Sequence, residues 1–291
     1  MTDIRLVTEP TVIVLGEMKL DVDGMNQLLD WVQDYRPECV PDSLPEDRHE
    51  RAMALFPHKG LGWHRPLGPD TDGEQRALTH NELLVELAGR ECYHSYGLKA
   101  GRKTNEEYIA HSQSGTVPHR SIMYHAKMTF FLAGISRRVS QELMRHYVGA
   151  DRSDEGSPSQ ESTRYTNCPG HFAVPPRVLA SGPEAVERFR EDMQVGYDRY
   201  CRYISHEVEQ FKAEHDGVEP KMMDRKRIWE AAAGLLPWQF CTSVQWTTNP
   251  VALAKLFQER CDESADLEFQ RFATKWRDIA RKHWPNLFEQ A

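Results

Sequence analysis

One stretch in the middle of the chain sets the class of fold: Thr129-Phe-Phe-Leu-Ala-Gly-Ile-Ser-Arg-Arg-Val-Ser-Gln-Glu-Leu-Met-Arg-His146. Its apolar residues recur at the spacing of one helical face, with arginines and a glutamate between them. These apolar positions are Phe131, Leu132, Ile135, Val139, Leu143 and Met144. The periodicity predicts a helix between Ile122 and His146, and the aromatic start leaves a strand open as the alternative.

Further helices and a few strands are predicted on either side of this stretch. The helical segments cover residues 25–35, 48–55, 79–93, 183–211, 224–235 and 250–284, the last open to a break. Thr79 and Glu82 have the spacing of a capping box, which begins the third of these helices. Residues 11–15 and 239–247 are the strand candidates. Long helices beside few strands indicate an α+β fold.

The composition excludes several classes of protein. Of 291 residues 40% are hydrophobic and 27% charged, which rules out global disorder, and the net charge of −8 opposes binding to nucleic acid. The only basic run is Arg225-Lys226-Arg227, which fits a solvated helix face. No apolar run approaches the ~20 residues that span a bilayer, so no membrane contact and a cytoplasmic location are expected. The whole chain, 1–291, is predicted to be one domain, with residues 1–80 as an N-terminal elaboration.

The densest group of ligand-type residues is Arg145-His146 followed by Ser157-Pro-Ser-Gln-Glu-Ser-Thr-Arg-Tyr165. Two guanidinium groups, hydroxyls and an amide at this spacing could clamp a phosphate and read a planar base. Taken alone, the stretch could equally be a solvated loop with surface ion pairs.

Taken with three other motifs, the stretch resembles the signature of the flavin-dependent thymidylate synthase family. In that signature Arg-His-Arg precedes a serine, then Gln or Glu, one residue, Ser, one residue and Arg-Tyr, as in residues 157–165 here. His119-Arg-Ser121 is similar to the family's His-x-Ser/Thr segment, and Arg90-Glu-Cys-Tyr93 to its Ala-Arg-Val-Cys-Tyr. The C-terminal pattern from Asn249 to Glu268 also follows the family, so the resemblance covers about residues 87–269.

The resemblance implies a central, mainly antiparallel sheet flanked by long helices, assembled as a homotetramer with active sites at subunit junctions. It implies FAD as the cofactor, NADPH as the reductant of the flavin and methylenetetrahydrofolate as the one-carbon donor. A uridine monophosphate, dUMP or UMP, is the expected substrate and is methylated at C5 without an enzyme nucleophile. No metal is expected.

The resemblance also assigns roles to individual residues. Nucleotide binding falls to Glu142, Arg145, Gln160, Ser162, Thr163, Arg164 and Arg260, and flavin binding to Ser121, Arg145, His146, Gln160 and Asn249. Arg260 is the expected catalytic residue, because a fixed cation beside N3 of the pyrimidine favours its anionic form.

Several departures from the family pattern fall within the site. Tyr147 replaces the third residue of Arg-His-Arg, and an insertion at residues 148–156 separates the two halves of the signature. Ala233 and Val251 stand where relatives carry arginines, and Arg152 is a candidate substitute cation.

A carboxylate, Glu142, also replaces the usual glutamine and could accept hydrogen bonds from sugar hydroxyls. These changes favour the UMP/dUMP C5-methylase branch known from polyoxin-type nucleoside antibiotics, while an ordinary dUMP-only enzyme stays open. A flavin- or nucleotide-binding paralogue without turnover is another alternative. A metal hydrolase is disfavoured, because the 13 histidines match no zinc-binding template.

Overall fold

A computed structural model describes residues 3–56, 78–101, 103–114, 119–148 and 157–288. Their strands are β1 (Arg5–Val7), β2 (Thr11–Glu17), β3 (Met128–Ser136), β4 (Ser157–Gln160), β5 (His171–Ala173) and β6 (Cys241–Thr248). Their helices are α1 (Val22–Tyr35), α2 (Arg48–Ala52), α3 (His80–Tyr93), α4 (Asn105–Gln113), α5 (Arg137–Val148), α6 (Pro176–Ala180), α7 (Pro183–Glu214), α8 (Met222–Ala233), α9 (Pro250–Arg260), α10 (Leu267–His283) and α11 (Pro285–Phe288). None of these helices is long and apolar enough to cross a bilayer.

The central sheet has four strands in the order β2-β3-β6-β4, and every neighbouring pair is antiparallel. One face is buried against the helices, where Phe130 packs edge-on against Trp276 of α10. The other face carries the cross-strand row Ile13, Phe131, Gln245 and Ser159, and Ile13 is 47% exposed. A separate parallel pair joins β1 to β5. The predicted α+β class and antiparallel sheet are confirmed.

The central stretch corrects the prediction of a helix from Ile122 to His146. Residues 128–136 form β3, and the helix begins only at Arg137. Phe130 and Leu132 alternate onto the buried sheet face, so pairing with β2 and β6 overrides the helical spacing. A β-bulge at Gly134, where φ is +69°, lies near the end of the strand.

The other long elements match the sequence more closely. The predicted 250–284 helix is broken, because α9 ends at Arg260 and the Asp266 side chain caps a new helix, α10. The strand predicted at 239–247 is β6, and α7 continues to Glu214. The capping box at α3 is complete: the Glu82 amide donates to Thr79 Oγ1 at 3.2 Å, and the Thr79 amide donates to Glu82 Oε2 at 2.9 Å.

The N-terminal segment contributes both to the sheet and to a second apolar cluster. β2 is an edge strand of the central sheet, and Leu29, Val32, Leu55 and Tyr96 are fully or almost fully buried together. Gly97 lies at this junction with φ of +44°, and a Cβ added there would come within 2.3 Å of the Cys39 carbonyl oxygen. The description of residues 1–80 as an elaboration of a single domain stays a prediction.

Candidate active site

One face of α5 meets the C-terminal end of α9 at a charged cluster. Arg260, the last residue of α9, donates from Nε to His146 Nε2 at 2.9 Å and from Nη1 to Glu142 Oε2 at 3.1 Å. Glu142 and His146 are one helical turn apart on α5, which aligns them towards the same partner. The sequence predictions for Glu142, His146 and Arg260 therefore converge on one place.

The hydrogen bond from Arg260 determines the protonation state and the tautomer of His146. An Nε2 atom that accepts from a guanidinium cannot carry a proton, so the neutral ring keeps its hydrogen on Nδ1. Burial, and next the Arg260 charge, lower the pKa of His146 to about 4. The imidazole is therefore neutral at physiological pH and offers one donor.

Phe269 of α10 forms the floor of this cluster. It is fully buried, and the guanidinium carbon of Arg260 lies 4.8 Å above its ring centroid. The His146 ring meets the same phenyl ring edge-on, with the centroids 5.8 Å apart. A stacked guanidinium is held in one plane, so the donors of Arg260 point in fixed directions.

Sequence reasoning missed a second arginine of the cluster, Arg138. It donates from Nη1 to Glu142 Oε1 at 3.2 Å, and from Nη2 to Asp266 Oδ1 at 2.8 Å and Glu268 Oε2 at 3.1 Å. Burial is the largest single influence on the pKa of Asp266 and raises it, but the hydrogen bonds from Arg138 and from the amides of Phe269 and Glu268, with the charge of Arg138, together lower the pKa below its usual value. The Arg138–Glu142 spacing of four residues within a helix was the available signal.

Glu142 was expected to accept hydrogen bonds from sugar hydroxyls. In the structure one of its oxygens accepts from Arg138 and the other from Arg260. Each carboxylate oxygen has two lone pairs, so a further donor can still be accepted.

The second half of the signature lies beside α5 and α8. The Gln160 amide donates to Ser140 Oγ of α5 at 2.7 Å, which ties β4 to the helix. Residues 162–166 form a turn closed by the amides of Tyr165 and Thr166 on the Ser162 carbonyl, each at 3.1 Å.

Arg164 follows in this turn and points to α8. It is paired with Glu230, and both side chains are about half exposed. Lys226 Nζ lies 4.3 Å from the Tyr165 ring centroid. Arg164 thus pairs with Glu230 of α8, whereas Arg260 pairs with Glu142 of α5.

The remaining predicted residues have varied environments. Arg145 and Ser121 are exposed, and Thr163 is half-buried. Asn249 is almost fully buried, and its Oδ1 accepts from the Ala252 amide at 3.0 Å as the N-cap of α9. The Tyr147 side chain and residues 149–156, which include Arg152, lie outside the described residues.

A cavity of about 540 Å³ opens between α3 and α4, within the size range of small-molecule sites. It is lined by Arg90, Cys92, Tyr93, Lys103 and His119 among others, and all of these except Lys103 belong to the segments similar to family motifs at residues 90–93 and 119–121. Arg90 is fully buried, paired with Glu86, and donates to the carbonyls of Ser95 at 3.0 Å and Ala100 at 2.8 Å. Aromatic, hydroxyl and cationic groups in the lining fit a dinucleotide cofactor.

Among the described residues no group of three or more histidines, cysteines or carboxylates could hold a metal ion.

Comparison with known proteins places this fold and site in one family. The model described as Thymidylate synthase complementing protein matches residues 76–286, and the chain belongs to this family. Relatives named flavin-dependent thymidylate synthase are 32% identical over 209 residues in Mycolicibacterium vanbaalenii and 32% over 206 residues in Mycobacteroides abscessus. These alignments cover 72% and 70% of this chain and 76% and 77% of the relatives. The protein is accordingly a flavin-dependent enzyme of the thymidylate synthase kind, with FAD as its cofactor.

A solved structure shares the fold across nearly the whole length. It is the UMP/dUMP methylase PolB from Streptomyces cacaoi bound with 5-Br dUMP, with a TM-score of 0.50 and 16% identity. The match covers 98% of this chain and 95% of that one, so it includes the N-terminal segment outside the family model.

Proposed function

We propose that this enzyme methylates C5 of uridine monophosphates and accepts UMP as well as dUMP. Methylenetetrahydrofolate donates the one-carbon unit, and NADPH reduces the flavin. The observation that carries the proposal is the cluster in which Arg260, stacked on Phe269, is held between His146 and Glu142. It offers a fixed cation, a neutral imidazole and a carboxylate within one small region.

Arg260 would act on the base. Its Nε and Nη1 are committed to His146 and Glu142, while Nη2 has no hydrogen-bond partner among the described residues. A cation held in place without reorganisation stabilises negative charge on the pyrimidine as N3 loses its proton, which makes C5 more nucleophilic.

The chemistry at C5 balances without an enzyme nucleophile. C5 forms a bond to the methylene carbon and loses its proton, and both carbon–nitrogen bonds that join this carbon to the folate break to leave tetrahydrofolate. FAD, reduced by NADPH, supplies when bound the two electrons that bring the carbon from the methylene to the methyl level. The residues of this chain hold the reactants in place and exclude water.

Tolerance for the ribose hydroxyl is assigned to Glu142. Its oxygens accept from two arginines and keep lone pairs for a sugar hydroxyl, whereas a glutamine would present one acceptor and one donor group. The fold shared with a protein described as a UMP/dUMP methylase supports this choice over an enzyme restricted to dUMP.

Self-association as a homotetramer is part of the proposal. In the open row Ile13, Phe131, Gln245 and Ser159, the first two are apolar side chains that a second subunit could cover. Light scattering after size-exclusion chromatography measures the mass directly, and a monomer at micromolar concentration would contradict it.

Mass spectrometry of the products tests the reaction. The protein is incubated with FAD, NADPH, methylenetetrahydrofolate and equimolar dUMP and UMP, and a gain of one CH2 unit on both nucleotides is expected. Arg260→Ala is the matched control, which should keep bound flavin and lose product. Gain on dUMP alone would establish a dUMP-only thymidylate synthase. No gain on either nucleotide would favour a paralogue that binds its ligands without turnover.

A further inference from the structure

Arg138 joins the cluster at Arg260 to a rigid part of the fold. Its side chain bridges α5 and the start of α10, with hydrogen bonds to Glu142, Asp266 and Glu268. About one third of the side chain is exposed, so these ion pairs are partly shielded from water.

The acidic partners of Arg138 are themselves fixed. Asp266 Oδ1 accepts from the amides of Glu268 at 3.1 Å and Phe269 at 3.0 Å, which caps α10. Glu268 Oε1 accepts from the Ser136 amide at 2.9 Å, at the end of β3. Arg138 is therefore anchored to the same helix turn that carries Phe269, the floor under Arg260.

Glu142 is shared between two guanidinium groups, one for each oxygen. Arg138 holds Oε1 at 3.2 Å and thereby orients the carboxylate, and in this orientation Arg260 meets only Oε2 and contributes only Nη1 to the pair. A carboxylate with both oxygens free would instead form two parallel hydrogen bonds with one guanidinium, because that geometry is the stronger one. Such a pair would occupy Nη2 of Arg260 as well.

We propose that Arg138 is a positioning residue which, by holding one oxygen of Glu142, keeps Nη2 of Arg260 available for the pyrimidine. The inference rests on the proposed function, since it takes the base as the partner of Arg260. Arg138 itself touches neither substrate nor cofactor in this scheme. The arrangement uses three residues of this chain in series, from Arg138 through Glu142 to Arg260.

The competition for Glu142 makes a specific prediction about paired substitutions. Arg138→Met should lower kcat for dUMP and weaken dUMP binding about tenfold each, because Glu142 then captures Arg260. In a Glu142→Gln background the capturing carboxylate is absent, so adding Arg138→Met should change both quantities less than twofold relative to Glu142→Gln alone. A structural role exerted only through Asp266 and Glu268 would cost the same in both backgrounds, and loss of the Arg138–Glu142 pair alone would lower stability without changing dUMP binding.

The experiment is a double-mutant cycle read by steady-state kinetics and by calorimetric titration of the FAD-loaded protein with dUMP. Arg190→Met is the control, since Arg190 pairs with Glu187 on the surface of α7 and should leave both readouts unchanged. Equal losses from Arg138→Met in the two backgrounds would overturn the proposal. Wild-type product formation reports separately on the proposed function, and the dUMP titration reports on Arg138 even where no turnover occurs.

Discussion

The buried pair of Glu86 and Arg90 offers a quantitative test of how α3 supports the cavity. Both side chains are completely buried, and Arg90 Nε donates to Glu86 Oε1 at 2.7 Å. Arg90 also donates to the Ser95 and Ala100 carbonyls and lies 4.7 Å from the Tyr108 ring centroid. Arg90→Met keeps most of the side-chain volume but removes the buried cation that contacts Glu86 and the donor that Arg90 supplies to two carbonyls.

The expected cost follows from that loss of partners. Removing one member of a buried ion pair costs about 3–5 kcal/mol, a large part of the about 5–15 kcal/mol that holds a typical domain folded. For a chain of 291 residues, whose unfolding entropy is about 0.6 kcal/mol/K, the melting temperature should fall by about 5–8 °C. Flavin content should fall too, because Arg90 lines the cavity.

Urea unfolding followed by circular dichroism measures the difference, with Arg190→Met as a surface control expected within about 0.5 kcal/mol of wild type. The double substitution Arg90→Met with Glu86→Gln removes both charges and should recover at least about 1 kcal/mol. A loss below about 1 kcal/mol for Arg90→Met alone would refute the reasoning, since removing one charged member of a buried ion pair is expected to cost more than that.

Three further outcomes are expected. The pKa of His146 is lowered from 6.5 to about 4, so between those pH values the unfolded chain binds one more proton than the folded chain. The contribution of His146 to stability is therefore complete above pH 6.5 and falls by up to about 3 kcal/mol as the pH drops towards 4. In urea unfolding measured across this pH range, His146→Asn should remove that part of the pH dependence of the midpoint. Gly97→Ala should lower stability by more than about 2 kcal/mol in thermal unfolding, because its Cβ would lie 2.3 Å from a carbonyl oxygen. Gly101 also has a positive φ, +74°, but a Cβ there would meet open space, so Gly101→Ala should cost about 1 kcal/mol. Equal costs for the two substitutions would count against the contact at Gly97. Glu230→Gln should tighten dUMP binding about two- to fivefold in calorimetric titration by releasing Arg164, and unchanged affinity would remove Arg164 from the phosphate site.

The sequence predicted much of the fold because its strongest signals are local. The capping box at Thr79 and the helical face of α7 depend on residues a few positions apart, and both are present. The strand β3 was left open only as the alternative to a helix, because Phe130 and Leu132 are buried by pairing with β2 and β6, which are more than a hundred positions away along the chain on either side. Spacing within one segment carries no information about such partners.

The candidate site was predictable in its residues but not in its contacts. Glu142, His146 and Arg260 were identified from motif positions, yet their mutual hydrogen bonds join positions more than 110 residues apart. Arg138 was missed because its partners Asp266 and Glu268 lie about 130 residues away.

The division of Glu142 between two arginines also constrains how this site can change during evolution. If Arg138 is lost first, Glu142 is expected to pair with Arg260 through both oxygens, which lowers activity. If Glu142 is first exchanged for an uncharged residue, a later change at Arg138 should have little further effect on activity. The cost of losing Arg138 is thus expected to depend on whether Glu142 is still present. A lineage that uses only dUMP should lose the carboxylate before it loses the arginine.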